Sequence, residues 1–142
     1  MKTYVVKGEE VKTEWVLMDA ADKPLGRLAS SIANILMGKD KVKFARNVII
    51  GDEVIVINAA KVKLTGRKLE QKVYYRYSGY PGGIKAMTAG DMLNKYPERL
   101  ILSAVKGMLP KNKLGSKMLT RLRVFRGEQH KHQAQQPKIK EV

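Results

Sequence analysis

Residues 51–66, GDEVIVINAAKVKLTG, decide the fold. Val54, Ile55, Val56 and Ile57 run apolar without alternation. A strand wetted on one face alternates apolar and polar side chains. A continuous β-branched run instead fits a strand covered on both faces, as in a parallel sheet with helices on either side. Residues 52–57 would span about 20 Å, an ordinary strand length. Gly51-Asp52 marks a turn before the strand, and Asn58-Ala59-Ala60 follows it. In open α/β sheets, ligands gather at the loops beyond the strand ends. Lys61, Lys63, Arg67 and Lys68 crowd just past this one. Taken singly, each reads first as a solvated loop side chain.

Working backwards, Trp15-Val16-Leu17-Met18 is a short apolar run and reads as the first strand. Asp22 is positioned to cap a helix, with Pro24 in the first turn, where its missing N–H is not needed. Leu25, Leu28, Ala29, Ile32, Ala33 and Leu36 then recur at helical spacing and form one apolar stripe, which Gly38 should end. Strand, helix and central strand make a βαβ unit, and such crossovers are right-handed. The connection after the first strand lacks the G-x-G-x-x-G fingerprint, and Asp19 and Asp22 would repel a pyrophosphate, so a dinucleotide site is not expected. Residues 1–14, polar and mixed in charge, read as an extended N-terminal extension.

The chain has 142 residues, the size of one domain, and can bury a core without disulfide or metal. It contains no cysteine, which removes disulfides, thiolate metal sites and thiol nucleophiles together. No apolar run reaches the ~18 residues of a membrane span, and the opening MKTYVVKGEE has no apolar region of a signal peptide. The net charge is +15, and it is unevenly placed. Residues 1–71 hold 13 basic and 9 acidic side chains, whereas residues 72–142 hold 15 and 4. Such a surplus repels itself in a compact chain, so a polyanionic partner is the simplest reason for it. A membrane surface fits less well, because no long helix sets a basic face against an aromatic one.

Several stretches carry that charge. Lys39, Lys41, Lys43 and Arg46 form a basic loop before the central strand, offset only by Asp40. In Lys72-Val-Tyr-Tyr-Arg-Tyr77, read as a strand, Lys72, Tyr74 and Arg76 share one face and Val73, Tyr75 and Tyr77 the other. Cations interleaved with aromatics suit single-stranded RNA, where rings stack on bases and cations hold phosphates. The alternative places two of the three tyrosines in the core. The loop SGYPGG, residues 78–83, adds Tyr80 and three glycines, and Lys85 follows. Thr88 should cap a short helix with Asp91 in its first turn, and Pro97 should start another. Leu100, Ile101, Ala104, Val105 and Met108 share one face of the latter, with Glu98 near its positive end and the methionines read as core fillers. Residues 99–127 contain no acid but carry Arg99, Lys106, Lys111, Lys113, Lys117, Arg121, Arg123 and Arg126. A merely solvated face intersperses both signs, so this segment reads as a binding surface. The polar tail, residues 128–142, carries His130-Lys131-His132. With neither cysteine nor acidic cluster nearby, these histidines suit bases and phosphates better than a metal. Residues beyond Pro137 are expected to be mobile. Neither G-x-S-x-G nor H-E-x-x-H is present, so no catalytic set, cofactor or metal is expected.

Taken together, the blocks G-D-x-V-I-V-I-N-A with a following T-G, S-G-Y-P-G-G, A-V-K-G-M-L-P-K-N-x-L-G and H-x-H-x-A-Q-Q-P resemble the L-thirteen family of bacterial large-subunit ribosomal proteins. The leading W-x-x-x-D-A and L-G-R-L-A-S match too, in the family order from Trp15 to Pro137. The resemblance implies a three-layer α/β fold with a four-stranded, mainly parallel sheet flanked by helices. It also implies a non-enzymatic cytoplasmic constituent of the large ribosomal subunit that binds its RNA early in assembly, beside neighbouring ribosomal proteins. Neither a membrane nor a small-molecule substrate is implied. Ser116 stands where the family often has arginine, and Lys131 where it often has proline or asparagine. The rival readings are an α/β enzyme acting on a nucleotide or polyanionic substrate and a basic adaptor for an acidic protein.

Overall fold

The computed structural model describes residues 4–142. Strand β1 (Trp15–Asp19) leads into helix α1 (Leu25–Met37) and then β2 (Glu53–Ile57). A short helix α2 (Lys68–Gln71) precedes a hairpin of β3 (Val73–Tyr77) and β4 (Ile84–Thr88). Helices α3 (Ala89–Lys95), α4 (Pro97–Met108) and α5 (Lys113–Thr120) follow, then β5 (Leu122–Val124) and β6 (Lys138–Ile139). The main sheet has the order β5-β2-β1-β6, and every pairing in it is parallel. Val16 pairs with Val54 and Met18 with Val56, so these four side chains share one face. Trp15, Leu17, Glu53 and Ile55 share the other.

The central strand is covered as its composition demands. Val54, Ile55 and Val56 are all fully buried. The first face packs against the apolar stripe of α1, with Leu28, Ile32 and Leu36 fully buried, and against Leu100, Ile101 and Val105 of α4. Both crossovers on this side, β1 to β2 and β2 to β5, step in the same direction across the sheet. Right-handed connections therefore put their helices on one face. The return from β5 to β6 steps the opposite way and must cross the other face. That return is the polar tail. Phe125, His130 and His132 gather there around Trp15, with the Trp15 and His132 rings stacked at 5.4 Å. The second cover is thus a returning chain with one 3-10 turn at Gln133–Gln135.

Local signals set the boundaries. Gly38 closes α1 in the left-handed conformation at φ 73°. Any Cβ on Gly51 would collide with the Leu36 carbonyl, so glycine lets the chain pass tightly over the end of α1. Thr88 caps α3 by accepting from the Asp91 N–H, and Pro97 opens α4.

Four expectations need correction. Asp22 does not cap α1. Its φ is 58° and its carboxylate pairs with Lys63 at 2.8 Å. The Leu25 N–H is instead satisfied by the Lys63 carbonyl, because parallel pairing resumes at Pro24 and Lys63. The N-terminal extension is not wholly extended: Gly8–Glu10 forms a 3-10 turn, and Val6 is buried. Met108 is 43% exposed, because it follows the last buried turn of α4, whereas Met18 and Met118 are core. Beyond Pro137, Lys138–Ile139 forms the edge strand β6, and the tail is held by the Lys140 N–H donating to the Leu17 carbonyl and by ion pairs Lys138–Glu14 and Lys140–Asp40, each 2.9 Å.

Candidate nucleic-acid interface

The cations singled out in the sequence fall into two groups once folded. One group is consumed by the fold. Lys41 pairs with the buried Asp52 at 2.5 Å and donates to the Lys12 carbonyl. Asp52 also accepts the Glu14 N–H at 2.9 Å, so this carboxylate ties the loop before β2 to the chain before β1. Arg121 donates to the Gly51 carbonyl at 2.6 Å. Arg123, in register with Ile55, pairs with Glu53 two residues earlier on the same face of β2 and lays its guanidinium 4.8 Å from the Trp15 ring centre. His130 and His132 pack on Phe125 and Trp15. Their sequence neighbourhood marked all five as surface groups, yet parallel pairing of β5 with β2 brings Arg121 and Arg123 partners from 70 positions away.

The other group remains exposed. The end of α4, the turn after it and α5 enclose a groove of about 510 Å³, lined by Ser103, Lys106, Lys111, Asn112 and Ser116 among others. Asn112 caps α5 by accepting the Gly115 N–H at 2.8 Å. The sequence marked this segment as basic and acid-free but assigned it no helix. The Asn112 cap and the Leu114, Met118 and Leu119 spacing were the signals for a helix. Lys106, Lys111, Lys113 and Lys117 are exposed and form no ion pair among the described residues. The helix positive end adds to their field. Lys39, Arg67, Lys68, Lys72, Arg76, Lys85, Arg126 and Lys131 are exposed as well. Lys43 lies 3.8 Å from Glu10, and Lys61 lies 3.6 Å from Glu128. Both pairs are exposed and worth little in water.

Of the hairpin tyrosines, Tyr74 packs against the core, and burial raises its pKa. Tyr75, Tyr77 and Tyr80 are exposed. Tyr96, which the sequence reading passed over, is half exposed with Arg99 4.5 Å from its ring centre. The three-residue spacing across the start of α4 was its signal.

A parallel α/β sheet whose buried charges serve the fold, and whose loops and helix ends carry the remaining cations, defines a strongly basic α/β protein. The sequence model of ribosomal protein L13 matches residues 13–131. The large ribosomal subunit protein uL13 of Thermotoga maritima is 60% identical over 136 residues, covering 96% of this chain and 91% of that protein. Its counterpart from Pelobacter propionicus is 58% identical, covering 98% of each chain. That from Ligilactobacillus salivarius is 55% identical over 140 residues. The chain belongs to the ribosomal protein L13 family.

Proposed function

We propose that this protein is a non-enzymatic, cytoplasmic constituent of the large ribosomal subunit that binds the subunit's RNA and supports early assembly. The observation that carries the reading is the acid-free segment. It folds into a groove and helix whose four lysines, Lys106, Lys111, Lys113 and Lys117, have no counter-charge among the described residues. Phosphates would supply the missing charge, with release of condensed counterions driving association. Lys39, Lys43, Lys61, Arg67, Lys68, Lys72, Arg76, Lys85, Arg126 and Lys131 extend the cationic surface, and Tyr75, Tyr77 and Tyr80 add rings. Lys41, Arg121, Arg123 and the two histidines position that surface through the fold. The family relatives, named as large-subunit proteins, support the assignment. A tagged copy sedimented from a cell lysate should run with the large subunit and with its precursor particles. Absence from both peaks overturns the reading.

A further inference from the structure

We infer that the β3–β4 hairpin is a stacking platform for unpaired nucleotides, distinct in chemistry from the phosphate-directed lysines of α4 and α5. The inference rests on the RNA-binding reading above. The hairpin register pairs Tyr77 with Ile84, Tyr75 with Ala86 and Val73 with Thr88. Directly opposed residues share a face, so Tyr75, Tyr77, Ile84 and Ala86 form one apolar surface. That surface is open: Tyr75 is 74% exposed, Tyr77 62% and Ile84 65%, and Tyr80 at the tip is 75% exposed. The opposite face pairs Arg76 with Lys85 near the tip and Tyr74 with Met87 nearer the core. Tyr74 anchors the hairpin to the core, so the exposed rings are not needed to hold it.

An apolar sheet face this open needs an occupant, and the charge around it selects one. Residues 71–90 contain Lys72, Arg76 and Lys85 and no acid. Arg76, Tyr77, Ser78, Gly83 and Lys85 line a shared hollow at the tip, so the two cations of the opposite face border Tyr77 at the hairpin edge, within reach of the backbone of a strand whose bases lie on the rings. Tyr75 and Tyr77 are two residues apart on one strand face, a separation of about 6.8 Å. That is twice the ~3.4 Å rise between stacked bases along a strand, so one base fits between the two rings and further bases fit outside them. Paired bases in a helix are already stacked on their neighbours and do not offer these faces. Unpaired loop or bulge nucleotides do.

The test uses the full-length protein, a short unstructured oligouridylate and oligoadenylate, and an RNA duplex of matched phosphate number. Tyr75→Ala with Tyr77→Ala should weaken single-strand binding by roughly ten- to a hundredfold per stacked base lost. Duplex affinity and the salt dependence should hold, because no cation is removed. Tyr75→Phe with Tyr77→Phe should restore single-strand binding, since the ring and not the hydroxyl stacks. Melting temperature on the same samples checks the fold. Equal losses on duplex and single strand, or no loss on either, overturn the inference while leaving the RNA reading intact. Unchanged RNA affinity with failed entry into subunits would assign this face to a protein neighbour instead. If the unmodified protein binds neither RNA with any salt dependence, the RNA reading itself fails.

Discussion

Arg123→Ala should damage the fold rather than the RNA contact. Its guanidinium pairs with Glu53 and covers Trp15, and both charged side chains are only partly exposed, at 34% and 22%. An exposed pair is worth about 0–1 kcal/mol, whereas breaking a buried one costs about 3–5 kcal/mol. This site lies between those limits, so about 1–2 kcal/mol is expected from the pair. The cation–π contact adds about 1 kcal/mol. A loss of about 2–3 kcal/mol in a chain of this size lowers the melting temperature by roughly 6–12 °C. The comparison is Lys111→Ala with Lys113→Ala. Both lysines are exposed and unpaired among the described residues, so stability should move by only about half a kcal/mol per site. Affinity for ribosomal RNA should fall instead, and the slope of log K against log salt should drop by about two. Thermal unfolding by circular dichroism and filter binding at several salt concentrations separate the two cases. Arg123→Ala melting like the parent while losing RNA affinity would refute the division between fold-bound and free cations.

Leu100→Ala should cost about 2–5 kcal/mol through the cavity it leaves, because Leu100 is fully buried; RNA affinity of the folded fraction should hold, and a loss of affinity without destabilisation would contradict its place in the core. If six to eight of the free cations meet phosphates, log K should fall with log salt at a slope of about −5 to −7, or roughly 10³–10⁴-fold between 50 and 200 mM; a flat dependence refutes the electrostatic account. The tail should detach in acid. Burial raises the pKa of Asp40, but the Lys140 hydrogen bond and charge outweigh it and leave the carboxyl below its ordinary 3.8, while the Lys138 hydrogen bond holds Glu14 below 4.5. Lowered folded pKa values mean stabilisation that is complete above the ordinary values and lost as pH falls through the lowered ones. Hydrogen exchange at the Lys140 amide should therefore speed up in that range before the β2 amides do, and simultaneous loss would refute the clasp. Gly82→Val and Gly83→Val should unravel the hairpin and impair incorporation while the main sheet survives. Gly82 has φ 70°, and a Cβ on Gly83 would press on the Tyr80 carbonyl. Undiminished protection across residues 73–88 would show the turn tolerates both.

What the sequence determined by itself was everything carried by local pattern. The unalternating run at 54–57 required cover on both faces. The stripe from Leu25 to Leu36 with Gly38 placed α1, and Thr88 and Pro97 placed two helix starts. Charge distribution marked the acid-free segment, because an excess of one sign is visible without coordinates. Tertiary structure alone decided which cations are free. Lys41 and Asp52 are eleven positions apart, and Arg123 and Glu53 seventy, so no local window links them. β5 has three residues and β6 two, too few to display a period. They are strands because β2 and β1 supply the backbone partners. The hairpin has the sequence of a sheet strand, but its register is satisfied by its own return, and only folding shows which tyrosine the core takes. Pairing across long separations is a property of topology, so no local window shows which cations meet a partner within the fold.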